Sequence, residues 1–179
     1  MSKKFLVRAL AAACLLAFPA GSFGSGSTGC TVSITGTVDA FAAWSNATPS
    51  IINSDWDGHI TAVDTAQTVT KSLTLYTNAD VTITPTTADA TNGILTNGTQ
   101  TLITSYKLTG APLTAPDAAY KLAGAGAGQF FNAGNTYALT HVAGTGSYNI
   151  NLVVQMQSQL HLAPDAGDYA TAVTLTASW

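Results

Sequence analysis

The sequence has no glutamate and, after Arg8, no arginine, and charged residues make up only 8% of it. Glutamate, lysine and arginine are the usual material of solvated helix faces, so their scarcity argues against amphipathic helices. Beyond residue 24 only Lys71, Lys107 and Lys121 oppose nine aspartates, a net charge near −6. Such a surface repels a phosphate backbone, so nucleic acid is excluded as a partner. No apolar run after residue 24 reaches the ~20 residues of a transmembrane helix, so the chain is not expected to be integral to a membrane. Without glutamate, without a G-x-S-x-G elbow and without paired carboxylates, no acid–base or nucleophilic machinery is legible. His59, His141 and His161 are scattered and lack metal-ligand spacing. Neither an enzyme nor a cofactor is expected.

Cysteine is equally scarce. Residues 1–24 read as a signal peptide: Lys3, Lys4 and Arg8 precede the apolar run Ala9–Ala20, and small residues follow around Ser22 and Gly24. The chain is therefore expected to be exported through the periplasm. Cys14 leaves with the signal, so Cys30 stands alone and no intramolecular disulfide can form. Cys30 is left as an intermolecular or free thiol. The "STGC" stretch before it lacks the aliphatic residue of a lipidation site, Ser27 standing in its place. Roughly 155 residues remain, the length of one domain.

Those residues are dominated by Thr, Ala, Gly, Asn and Val, and they alternate. In "CTVSITGTVDA", residues 30–40, Val32, Ile34 and Val38 share one face with Gly36 between them, and hydroxyls fill the other. The same period of two runs through "SLTLYT", "DVTITP" and "LITSYKL", where Leu102, Tyr106 and Leu108 point one way and Ser105 and Lys107 the other. It predicts one long strand over "SYNINLVVQMQSQLHL", with Leu160 and Leu162 inward and His161 outward. A last strand over "YATAVTLTASW" turns Tyr169, Val173, Leu175, Ala177 and Trp179 inward. Turn signals at 77–80, 91–93, 96–99, 143–147 and 164–168 separate the runs. The spacing predicts an all-β sandwich, with residues 110–135 as a long connection across it.

Two constellations invite a chemical reading. "NSDWDGHITAVD" sets Asn53, Asp55, Asp57 and Gly58 in the register of a calcium loop, with Ile60 eighth and Asp64 twelfth. The competing expectation is a polar turn feeding a short strand at residues 60–63. "GAGAGQ" has the glycines of a phosphate cradle at Gly124, Gly126 and Gly128, but no helical pattern follows it, so a plain loop is expected.

The two ends of the chain, "TVSITGTVDAFAAW" and "PDAGDYATAVTLTASW", resemble those of chaperone–usher pilins of the alternate class, the colonisation-factor and common-pilus fimbrillins, with spore-coat-U-like pilins as more distant cousins. The resemblance implies an incomplete immunoglobulin-like β-sandwich over residues 41–179, completed by the N-terminal extension of a neighbouring subunit. Residues 25–40 would carry that donor strand through Val32, Ile34, Gly36, Val38 and Ala40. Val173, Leu175 and Ala177 would wall the acceptor groove. The partners implied are identical subunits in a filament, with a periplasmic chaperone and an outer-membrane usher during assembly. No second domain offers a lectin site, so the resemblance implies a structural shaft subunit of an extracellular fimbria supporting adhesion or biofilm formation. Three alternatives stay open. Residues 30–40 could pair within their own sheet, the chain could be a small outer-membrane β-barrel, or it could be a monomeric secreted β-sandwich.

Overall fold

Alternating apolar and hydroxyl side chains fold here into two antiparallel sheets, with no α-helix among the described residues. The computed structural model describes residues 33–179, so Cys30, Val32 and the signal peptide lie outside the described residues. In chain order the elements are β1 (Ala42–Trp44), a 3₁₀ turn (Asn53–Asp55), β2 (Ala66–Thr77), β3 (Val81–Thr86), β4 (Ile103–Thr109), β5 (Lys121–Leu122), β6 (Tyr137–Leu139), β7 (Ser147–Gln157) and β8 (Thr174–Ser178). The larger sheet runs β1-β2-β7-β4-β5 and the smaller β6-β3-β8. Among the described residues no helix is long and apolar enough to cross a membrane.

Register explains why the period of two works. β2 lies on β7 with Val69 opposite Val154, Leu73 opposite Ile150 and Leu75 opposite Tyr148, so both strands turn the same face inward. Their other face is polar, and Ser72 and Thr74 donate hydrogen bonds to Asn151 and Asn149 at 2.8 and 3.1 Å. Leu75, Leu108 and Ile150 of the larger sheet share one core with Ile83, Tyr137 and Leu139 of the smaller.

The connection over 110–135 contributes to that core. Phe130 and Phe131 are buried, with ring centroids 5.0 and 5.2 Å from Tyr106. The glycine-rich loop before them folds back on itself, Gly126 N–H donating to Gln129 Oε1 at 2.7 Å, and no helix follows. At the other side of this aromatic cluster, Gly93 has φ +79°, and a Cβ there would meet the Phe131 ring at 2.1 Å. Its carbonyl accepts the buried Tyr106 hydroxyl. Only glycine satisfies both demands.

Four expectations need correction. The long run from Ser147 is not one strand to Leu162, because β7 stops at Gln157. A turn from Gln159 to Leu162 and φ +58° at His161 break the alternation, and Leu160 and Leu162 are exposed. The cause is long-range: His161 N–H donates to Asp64 Oδ1 at 2.9 Å, and its ring Nδ1 lies 3.1 Å from Asp64 Oδ2. Ser105, expected outward, is buried between its cross-strand partners Leu122 and Gln155. Trp179, expected inward, is exposed one residue past β8. Residues 60–63 form no strand.

Candidate functional site

β8 leaves one edge open, and the residues beside it explain how. β8 is the last strand of its sheet, and Leu175 sits opposite Pro85 of β3. Proline has no N–H to offer, so the backbone groups of Leu175 face away from β3. The Trp44 indole agrees with that direction, donating to Leu175 O at 3.1 Å from the neighbouring β1. Ala177, two residues on, exposes its N–H and C=O along the same edge. The other edge strands β1, β5 and β6 are two or three residues long, which blunts them. β8, with five residues and no charge or proline, is longer, and of its outward groups Leu175 O is met by the Trp44 side chain of β1.

The inward side of that edge is apolar. Val173, Leu175 and Ala177 are half-buried and pack on the core. Val173 and Leu175 form one wall of a cleft of about 550 Å³ whose other surfaces include Trp44, Trp56, Leu73 and Val154. A second cleft of about 470 Å³ shares Asn53, Trp56, Leu95 and Tyr169 with the first and runs on to Met156. The two clefts adjoin at these residues and lie beside the C-terminal segment, and the first of them is termed the trough. That segment is tethered by two backbone hydrogen bonds between Thr96 and Ala170, at 2.9 and 3.2 Å, and by Thr171 Oγ1 donating to Asp89 Oδ2 at 3.1 Å. The Asp89 carboxyl is held below its ordinary range by the hydrogen bond it accepts from the Thr91 backbone N–H.

Ser33–Ala40 form no strand, and every one of these residues is exposed, Ile34 at 90% and Val38 at 81%. A Cβ on Gly36 would meet nothing within 4 Å. The larger of two compact units begins at Val38. Asn78 fastens its start, accepting from Phe41 N–H at 2.8 Å and donating to Asp39 O at 3.0 Å. Ala40, grouped with the donor in the sequence, therefore sits between two anchored residues.

The calcium register does not assemble into a ring of ligands. Asn53 donates to Asp168 Oδ1, Asp55 accepts from Ile52 N–H and lies 3.6 Å from Lys71, and Asp57 accepts from Thr68 Oγ1. Asp64 is turned to His161. Each side chain is engaged by a different part of the fold, and no cluster of three or more metal-binding residues occurs among the described residues. Trp44 and Trp56, which frame the cleft, carry no signal in the period-two pattern and emerge only from the packing. Compared with known protein families, curated proteins and solved structures, the chain matches none of them.

Proposed function

We propose that the chain is a structural shaft subunit of an extracellular fimbria, and that residues 30–40 of one copy complete the sheet of the next. One observation carries this reading: an alternating apolar segment lies exposed on the same chain that holds an open strand edge above an apolar trough. Each half is a liability alone, and each is the other's complement. A strand laid along β8 would pair its backbone with Leu175 and Ala177 and seat Ile34 and Val38 in the trough, extending an incomplete immunoglobulin-like sandwich. Burying each aliphatic contributes roughly 1.5–3 kcal/mol before ordering costs. The Trp44 indole, bonded to Leu175 O in the free subunit, must give up that bond to the arriving strand. Until then the trough needs cover, which is the role of a periplasmic chaperone, with an outer-membrane usher as the place of exchange. The fibre serves adhesion or biofilm formation.

The alternatives meet specific obstacles. A membrane barrel requires one closed sheet with an apolar exterior. Here the two sheets keep separate edges, and the outer face of β2 and β7 carries Ser72, Thr74, Asn149 and Asn151. A self-contained monomer requires residues 30–40 to pair in place, whereas Ser33–Ala40 form no strand.

The test is expression of the exported chain with and without residues 25–37, with its chaperone, followed by negative-stain microscopy. Removal stops at 37 because the larger compact unit begins at Val38. Filaments from the full chain, and chaperone-bound or aggregated truncated chain, are expected. Two equally stable monomers would contradict donor-strand assembly.

A further inference from the structure

Beside Tyr106, whose register partner is Lys121, an amine, a carboxamide and a carboxylate converge near two short edge strands. Lys121, on β5, donates from Nζ to Asn135 Oδ1 at 2.6 Å and lies 2.8 Å from Asp117 Oδ1. Asn135 stands two residues before β6, and its Nδ2 is fixed by donation to Phe130 O at 2.7 Å and Tyr137 Oη at 3.1 Å. Those two bonds settle which way the amide faces, leaving Oδ1 toward the amine. Asp117 is fixed as tightly, its Oδ2 accepting from Leu108 N–H at 2.9 Å and Tyr137 O–H at 2.5 Å. Its side chain is 5% exposed. The Tyr137 ring lies 5.2 Å beneath the Lys121 Nζ, and Phe130 packs beside that ring. An ion pair between Lys121 and Asp117 requires no asparagine, yet here the carboxamide is oriented onto the amine, with the carboxylate within reach of both its proton and its product.

We propose that Lys121 and Asn135 become joined by an intramolecular isopeptide bond that the chain forms itself, with Asp117 carrying the protons. Asp117 takes a proton from the Lys121 ammonium, and the freed Nζ lone pair attacks Asn135 Cγ. The Nζ–Cγ bond forms as the carbonyl pair moves onto Oδ1, which takes the proton from Asp117. Asp117 then removes a second proton from Nζ and delivers it to Nδ2. The Cγ–Nδ2 bond breaks, and ammonia leaves and takes up the remaining proton as the carbonyl reforms. Ammonium plus carboxamide become a secondary amide plus an ammonium ion, with no oxidant, cofactor or metal in the balance. Proximity is the main source of rate, because both reactants are held in contact by the fold, and Asp117 supplies general acid–base assistance. The bond would tie the edge of the larger sheet to the edge of the smaller, at strands of two and three residues. This inference does not depend on filament assembly.

The chain provides a clean assay. After Lys107 the only tryptic site is Lys121, since no other lysine or arginine follows. The purified exported chain, denatured and digested, is expected to yield residues 108–179 as one uncut species, lighter by one ammonia. Lys121→Arg, which keeps a cation beside Asp117, and Asn135→Ala should each restore the full mass. Lys121→Arg should also restore cleavage into 108–121 and 122–179. Asp117→Ala should leave most of the chain unlinked. The Asn92–Gly93 and Asn97–Gly98 pairs, the readiest to lose ammonia as succinimides, fall in the separate 72–107 fragment, and a succinimide at Asn135 itself would leave Lys121 cleavable, so cleavage discriminates. Separate 108–121 and 122–179 peptides from folded wild-type protein would overturn the proposal.

Discussion

Chains carrying Ile34→Asp and Val38→Asp together are expected to fold with unchanged stability and, on the proposed donor-strand assembly, to form no filaments. In the single chain the two side chains are 90% and 81% exposed, so substitution there changes stability by about 0.5 kcal/mol at most. In a filament the same positions would enter the apolar trough, where an unpaired carboxylate costs several kcal/mol on top of the roughly 1.5–3 kcal/mol of burial lost at each site. At about 1.4 kcal/mol per factor of ten, assembly falls by more than about a thousandfold. Thermal melting of the chaperone-free monomer and electron microscopy of the cell surface check the two halves separately. Filaments of normal abundance from this double variant would place Ile34 and Val38 outside the contact.

The second large effect falls on stability. Asp117→Ala is expected to destabilise the subunit by about 3–5 kcal/mol, because it strands the Leu108 N–H and the Tyr137 hydroxyl and leaves Lys121 without its counter-charge. Burial and the hydrogen bond to Asp117 both raise the Tyr137 pKa, so the phenol stays a donor across the physiological range and needs that acceptor. Asp117→Asn keeps an acceptor for Leu108 and is expected to cost less. Urea denaturation of a form unable to polymerise measures both. A loss below about 1 kcal/mol for Asp117→Ala would mean that water replaces the carboxylate without penalty.

The parts of the fold that are legible in the sequence are those decided by local pattern. Strands β2, β3 and β7 alternate because each has one buried and one solvated face, and period two encodes that directly. The turn glycines Gly93, Gly98 and Gly144 fall where positive φ is needed. What local pattern leaves out is partnership. His161 continues the alternation of β7 but leaves the strand because Asp64, nearly a hundred residues away, captures it. Ser105 is buried because a two-residue strand happens to flank it. The calcium register has the right spacing, yet Asp55 caps its own turn and Asp57 answers Thr68.

The candidate site divides the same way. Val173, Leu175 and Ala177 are readable as an apolar strand face, but that β8 ends its sheet with an open edge follows from topology, which no window of sequence contains. Trp44 reaches Leu175 across 131 positions. The Asp117–Lys121–Asn135 cluster lies in the stretch whose Ala, Gly and Pro content reads as mere connection. The cluster assembles only because the fold brings Asn135, ahead of β6, onto Lys121 of β5.

The central claim is that β8 receives the strand of another copy, and amide hydrogen exchange at β8 tests it most directly. The chain lacking residues 25–37 is refolded with and without a peptide of residues 30–40, and exchange is followed at Leu175 and Ala177, whose N–H groups face the open edge. Protection of both amides on adding the peptide, with loss of the Trp44 bond to Leu175, is the predicted result. A peptide that leaves both amides exchanging freely would contradict assembly at this edge.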